Sequence, residues 1–217
     1  MCIICIKKKS VKFPSMKAVR NMCENNNDGF AIVWYHPTMK QTQVYRTMNQ
    51  KQFLKEFKRI KNAYDAEQTT LFIHARIKTH GTPNLNNCHG WVSDECGLAF
   101  AHNGILSGVA NRDDMTDSET YFRDIFTPAF MYGGWEGAER TINAIIGTSK
   151  FVFMDGVGNI AHYGQYIEDD GLLYSNTTYQ PALWKSYTKS QYSSRVYPSA
   201  SYDWDYDEWE PLSAYYK

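Results

Sequence analysis

Hydrophobic positions along the chain fall into short runs divided by turn residues, with a few longer stretches of helical period. Cys2 to Ile6 is an apolar, Ile-rich run that reads as a buried strand, with Lys7-Lys8-Lys9 as its solvated exit. Ser15 is placed to cap a short helix running through Cys23. Asn25-Asn26-Asn27-Asp28-Gly29 is a turn signal, and Phe30 to Tyr35 is a second strand. Gln43 to Thr47 reads as its hairpin partner across Pro37. Asn49 suits the N-cap of a helix that carries Phe53, Leu54, Phe57 and Ile60 on one face. Thr70 to Arg76 is a strand ending in a polar segment, Lys78 to Trp91, and Leu98 to His102 is a strand stopped by Asn103-Gly104.

Two helices follow. One starts near Asp117 and carries Tyr121, Phe122, Ile125 and Phe126; the other runs from about Gly134 to Ile146 with Ala138, Ile142 and Ile145 on its stripe. Phe151 to Met154 and Ile160 to Tyr163, joined by Gly156-Val157-Gly158-Asn159, form a predicted hairpin. Leu172 to Ser175 is the last predicted strand. Strands in runs, with helices grouped between them, favour an α+β fold over a doubly wound sheet.

From Gln180 the pattern stops. Aliphatic residues reduce mainly to Leu183, Val196 and Leu212, while Tyr, Trp, Ser and acidic residues dominate. The expected organisation is therefore one domain over residues 1–179 and an aromatic-rich, weakly ordered tail over 180–217. Part of that tail could instead dock onto the domain or a partner, because so many aromatic rings are costly to leave in water.

Composition narrows the function classes. Lys plus Arg and Asp plus Glu are both 23, so the net charge is zero and electrostatic capture of nucleic acid or of an acidic membrane is not expected. No run is long and apolar enough to span a bilayer, and no signal-peptide core is visible. Five cysteines without a secretion signal point to reduced thiols and a cytoplasmic setting.

Four places could carry chemistry. Cys2 follows the initiator, so removal of Met1 would leave a thiol and a free α-amine on one residue, a nucleophile with its own base. A lone cysteine is more often a small buried hydrophobe. Cys2 and Cys5 match a Cys-x-x-Cys spacing, but on a strand they face opposite ways, which excludes a shared metal or disulfide there. No metal or other cofactor is expected. Arg76, at a strand end before Thr79-His80-Gly81, could grip a carboxylate or form a surface salt bridge. Asn103 and Gly104 offer a side-chain amide and a backbone N–H suited to an oxyanion, or a plain Asn-Gly turn. Asp117 could hold an ammonium group or cap its helix.

Taken in order, these residues resemble the class II glutamine amidotransferase domain. That family begins Met-Cys and carries Arg-x-x-Thr-His-Gly, His-Asn-Gly and Asp-Thr-Glu motifs. Here the stretches read Arg76-Ile77-Lys78-Thr79-His80-Gly81, His102-Asn103-Gly104 and Asp117-Ser118-Glu119. Asn27-Asp28-Gly29-Phe30-Ala31 is similar to an early turn of the family, and Asn87-Cys88-His89-Gly90-Trp91 stands where members often have Asn-x-His-Pro. The chain departs in having Ile3 where many members have Gly, and Ser118 for Thr; neither removes a group the chemistry needs.

The resemblance implies a four-layer αββα sandwich of the N-terminal-nucleophile hydrolase type. It implies L-glutamine as substrate, with Cys2 attacking the side-chain amide and Asn103 and Gly104 stabilising the oxyanion. Arg76, Thr79 and His80 would hold the substrate α-carboxylate end, and Asp117 its α-ammonium. Members usually fuse this domain to a synthase that consumes the ammonia. The residues after Tyr179 leave no room for one, so a stand-alone glutaminase or a subunit serving an acceptor synthase is expected. The alternatives are another N-terminal-Cys amidase, or a catalytically silent binding module that keeps the fold.

Overall fold

The computed structural model describes residues 2–78, 84–110 and 115–181. Ten strands occur among them: β1 Ile3–Lys7, β2 Phe30–His36, β3 Gln41–Thr47, β4 Leu71–Ala75, β5 Trp91–Ser93, β6 Leu98–Asn103, β7 Lys150–Met154, β8 Ile160–Tyr163, β9 Ile167–Asp169 and β10 Leu172–Tyr174. The helices are α1 Met16–Asn25, α2 Gln50–Ala63, α3 Asp117–Thr120 and α4 Thr127–Ile145, with a π-helical stretch Tyr121–Phe126 joining the last two.

The strands make two antiparallel sheets. One has six strands in the order β3-β2-β4-β1-β10-β9 and the other four, β5-β6-β7-β8. Alternation along β1 and β6 accounts for the layering. Ile3 and Cys5 join α1 and α2 in one core. Leu98 and Phe100 join the α3–α4 run in a second. Ile4 and Ile6 meet Ala99, Ala101, Val152 and Met154 in a third core between the sheets. Helices therefore cover both outer faces, and the fold is the expected four-layer αββα sandwich. Small Ala99 and Ala101 against branched Ile4 and Ile6 let the two sheets close on each other.

Capping agrees with the sequence at α1, where Ser15 Oγ accepts from the Ala18 N–H, and at α2, where Asn49 accepts from Gln52. The helical run from Asp117 breaks at Gly133 and Gly134; Gly134, at φ 56°, sits where only glycine is at ease. That break is the gap expected between two helices. The π-helical turn, in which the Thr127 N–H reaches the Phe122 carbonyl, resets the buried stripe. Phe122, Phe126 and Phe130 go inward, whereas Ile125, expected on the apolar face, is left exposed. Phe126 stacks on Phe153 at 4.3 Å and Phe100 on Phe153 at 4.8 Å. Such pairs add about 0.5–1.5 kcal/mol each beyond their buried area.

Three expectations need correction. Lys7 is not a solvated exit: it is fully buried, and its ammonium donates to the carbonyls of Ala66, Thr69 and Lys8 at 2.5–3.1 Å. Burial pulls its pKa down to about 8. Trp91 belongs to β5, not to a polar loop, and its indole N–H donates to the Asn86 carbonyl at 2.8 Å. β9 was not expected at all; it pairs with β10 across the two-residue turn Asp170-Gly171, both residues at positive φ. Among the described residues no helix is long and apolar enough to cross a membrane. The tail from residue 182 onward lies outside the described residues.

Candidate active site

Cys2 precedes β1 on the parity of Ile4 and Ile6, so it belongs to the side of the sheet that faces the second sheet. Cys5 lies on the opposite side, in the core with α1 and α2. Two bonds hold Cys2. Its thiol donates to the Ile77 carbonyl at 3.6 Å, and its own carbonyl accepts from Asn176 Nδ2 at 2.6 Å. Burial pushes the thiol above its ordinary range, while the Ile77 carbonyl contact and the positive charge of Arg76 pull the other way. The resting group is a thiol, so nucleophilic attack there requires a base to take its proton.

Arg76 comes alongside because β1 pairs antiparallel with β4 in the register Ile3 to Ala75. The Asn-Asp-Gly turn fixes its backbone: the Arg76 N–H donates to the Gly29 carbonyl at 2.8 Å, and the Asp28 N–H to the Arg76 carbonyl at 2.9 Å. Asp28 Oδ2 also accepts from the Lys78 N–H at 2.7 Å. Gly29 has φ 137°, and a Cβ there would fall 2.5 Å from Cys88 Sγ, so turn and loop packing both demand glycine. Arg76 is 4% exposed, which removes the surface salt bridge weighed for it. Thr79 and His80 lie outside the described residues.

Asn103 is the last residue of β6, paired with Lys150 of β7, and shares the inter-sheet parity of Ala99 and Ala101. Its Nδ2 donates to Ser175 Oγ at 2.8 Å. Gly104 follows at φ 150°; a Cβ there would collide with Ser149 Oγ and come within 2.9 Å of His102 Nε2. Asp117 is not the N-cap of its helix. Thr116 takes that role, accepting from Glu119. Asp117 instead receives the Leu106 N–H at 2.9 Å through Oδ2, and the Ser118 N–H and hydroxyl through Oδ1. It thereby ties the loop after Gly104 to the start of α3. The structure brings Cys2, Arg76 and Asn103 to one end of the two sheets, with Gly104 and Asp117 on the adjoining loop and helix start.

Sequence reasoning did not single out a stack of three buried imidazoles next to these groups. His74 and His89 lie face to face at 3.9 Å between ring centres, and His102 is nearly parallel to His89 at 6.3 Å. His89 Nδ1 accepts the His102 N–H at 3.0 Å, which places the His89 proton on Nε2. Ser118 Oγ bridges His102 Nδ1, at 2.7 Å, to Asp117. Burial lowers all three: His74 to about 3, His102 to about 4 and His89 well below its usual value. For His74 and His89 the neighbouring imidazoles and Arg76 add to the drop; for His102 Asp117 opposes it. The available signal was His74 on the inter-sheet parity of β4, two positions after Phe72.

Two packed antiparallel sheets between helical layers, with a cysteine opening the central strand of the larger sheet, define an N-terminal-nucleophile hydrolase fold. The family model for glutamine amidotransferases class-II matches residues 1–161, and the chain belongs to that family. Similar solved structures include a glutamine phosphoribosylpyrophosphate amidotransferase from B. subtilis complexed with ADP and GMP. It is 14% identical, with a TM-score of 0.55 over 82% of this chain and 42% of that one. A structure described as the allosteric regulatory enzyme of purine biosynthesis is 12% identical, with a TM-score of 0.56 over 80% of this chain and 41% of that one. A glutamine aminotransferase class-II domain protein from Silicibacter pomeroyi is 16% identical, with a TM-score of 0.45 over 80% and 87%. The chain thus spans less than half the length of the first and second of these. No curated protein sequence matches it.

Proposed function

We propose that this domain hydrolyses the side-chain amide of L-glutamine and releases ammonia for an acceptor supplied elsewhere. The observation that carries the reading is the placement of Arg76 beside Cys2 by the β1–β4 register, with Asn103 of the second sheet tied through Ser175 to Ile4, two residues along from Cys2. Removal of Met1 frees the Cys2 α-amine. As Sγ attacks the glutamine side-chain carbonyl carbon, that amine takes the thiol proton. Asn103 Nδ2 and the Gly104 N–H stabilise the oxyanion. Collapse breaks the C–N bond, the amine returns its proton to the leaving nitrogen, and ammonia departs. Water then attacks the γ-glutamyl thioester by the same relay, giving glutamate and restoring the thiol. Arg76 binds the substrate α-carboxylate with Thr79 and His80, and Asp117 binds the α-ammonium. An amino-acid substrate is favoured over a simple amide because a buried guanidinium lies beside the nucleophile, where it suits an α-carboxylate.

The test begins at the N-terminus. Intact-mass measurement of protein made in cells is expected to show loss of one methionine. An electrophilic glutamine analogue is expected to label Cys2 ahead of Cys5, Cys23, Cys88 and Cys96, four thiols that are all buried. Quantitative retention of Met1, or labelling centred on another cysteine, would sink the mechanism.

The division of labour is testable by kinetics. Arg76→Ala is expected to raise KM for glutamine about 10–100-fold, the worth of a hydrogen bond to a charged group. It should leave hydrolysis of an amide without an α-carboxylate unaffected. Asn103→Ala is expected to lower kcat about 10²–10³-fold, since it serves charge that develops only in the transition state. Unchanged kcat in Asn103→Ala would contradict the oxyanion assignment.

A further inference from the structure

We infer that the dipeptide Ser175-Asn176, at the exit of β10, is a positioning clamp that sets the nucleophile against the oxyanion donor. The inference rests on the glutaminase reading above and assigns roles to two residues to which that reading gives none. Cys2 and Asn103 belong to different sheets, so no strand pairing fixes their separation. Ser175 supplies the link. β10 pairs with β1 in the register Tyr174 to Cys5, and the ladder continues as the Ser175 N–H donates to the Ile4 carbonyl at 2.9 Å. The Ile4 N–H returns a bond to Ser175 Oγ at 2.8 Å. Alternation puts Ser175 on the face of Leu173, which packs against the inter-sheet core, and its hydroxyl there accepts from Asn103 Nδ2 at 2.8 Å. One hydroxyl oxygen thus joins the central strand of one sheet to the catalytic end of the other. An amide nitrogen carries two protons. With one held by Ser175, the rotation of the Asn103 side chain is set, and the second is the one available to an oxyanion.

Asn176 performs the matching task on the nucleophile. Its Nδ2 donates to the Cys2 carbonyl, while its Oδ1 accepts from the Thr178 N–H and hydroxyl at 3.0 and 2.8 Å. Thr178 and Tyr179 are in turn gripped by α1. Asn26 donates to Thr178 Oγ1, and Asn25 and Asn21 donate to the Thr178 and Tyr179 carbonyls, all at 2.9–3.0 Å. Tyr179 stacks on Tyr174 at 3.7 Å. Ser175 is 4% exposed, so this linkage is shielded from competing water. Ser175 and Asn176 are positioning residues: they touch Asn103 and Cys2, not the substrate.

Steady-state glutaminase kinetics and analogue labelling on the full chain test the clamp. Ser175→Ala is expected to lower kcat about 10–100-fold with KM changed less than about twofold, since a misplacement near 1 Å costs about 10²-fold. In the Asn103→Ala background the same change should cost nothing further, because the hydroxyl acts through that amide. Asn176→Asp keeps both acceptor roles toward Thr178 but loses the donor, and should slow Cys2 labelling by at least about tenfold. If Ser175→Ala does not fold, Ser175→Cys, close in volume but a weak acceptor, reads the same effect. Wild-type kcat in the folded Ser175 variant, or full multiplication of the Ser175 and Asn103 losses, overturns the clamp. A wild-type protein that neither hydrolyses glutamine nor takes the label instead overturns the glutaminase reading.

Discussion

Cys2→Ser is expected to abolish glutamine hydrolysis and analogue labelling while leaving thermal unfolding within a few degrees of the parent. The fold does not depend on this side chain: Cys2 lies ahead of β1, outside all three cores, and its thiol makes one long bond to the Ile77 carbonyl. The proposed chemistry depends on it entirely. Burial keeps the thiol protonated at rest, and the α-amine must remove that proton as Sγ attacks. A serine hydroxyl is far harder to deprotonate, which makes it a far poorer nucleophile at neutral pH. Loss of the nucleophile in a covalent hydrolase costs about 10⁶ in kcat, and serine is expected to recover little of it. Steady-state ammonia release and intact-mass detection of the label are the measurements. A Cys2→Ser protein that keeps a tenth of parental kcat would place the nucleophile elsewhere.

The positions proposed for the nucleophile and the oxyanion donors stood out because each sits at a strand end flagged by local pattern: the Ile-rich start at Cys2, and Asn103-Gly104 after Leu98 to His102. The layering was legible through strand runs and the resemblance. The fate of individual polar residues was not. Lys7 closes an apolar run and looks like a solvated exit, yet it is the residue whose ammonium satisfies the Ala66 and Thr69 carbonyls. A strand covered on both faces hides this, because alternation tells which side a residue takes but not whether that side meets water. β9 is three residues long, and only Asp170-Gly171 signalled its hairpin. Ser175 was seen as the end of a strand. Its bond to Asn103 crosses between sheets and joins residues 72 apart, which no local pattern encodes.

The imidazole stack predicts a steep loss of stability in mild acid. His74, His89 and His102 are held neutral in the folded protein, with values of about 3 for His74 and about 4 for His102, against an ordinary value near 6.5 in the unfolded chain. Their folded values are depressed, so the unfolded chain binds the extra protons. Stability is therefore fully present above about pH 6.5 and falls as pH drops toward the folded values. His74 and His102 together give a limiting slope of about 3 kcal/mol per pH unit, and His89 acts in the same direction. The accumulated loss from His74 and His102 between pH 8 and pH 5 is about 4 kcal/mol, a large share of the net stability of a typical domain. Charging one ring costs desolvation and sets it against the Arg76 cation, and charging a second sets it against the first, so partial protonation in the folded state offers no relief. Urea unfolding at pH 8, 6.5, 5.5 and 5 is expected to show a midpoint nearly constant over the first pair and falling sharply over the last. His89→Gln should make the acid slope shallower, because one of the three proton-linked groups is gone. A midpoint that holds from pH 8 to pH 5 would mean that these rings accept protons in place, and that the buried neutral stack beside the active site is wrong.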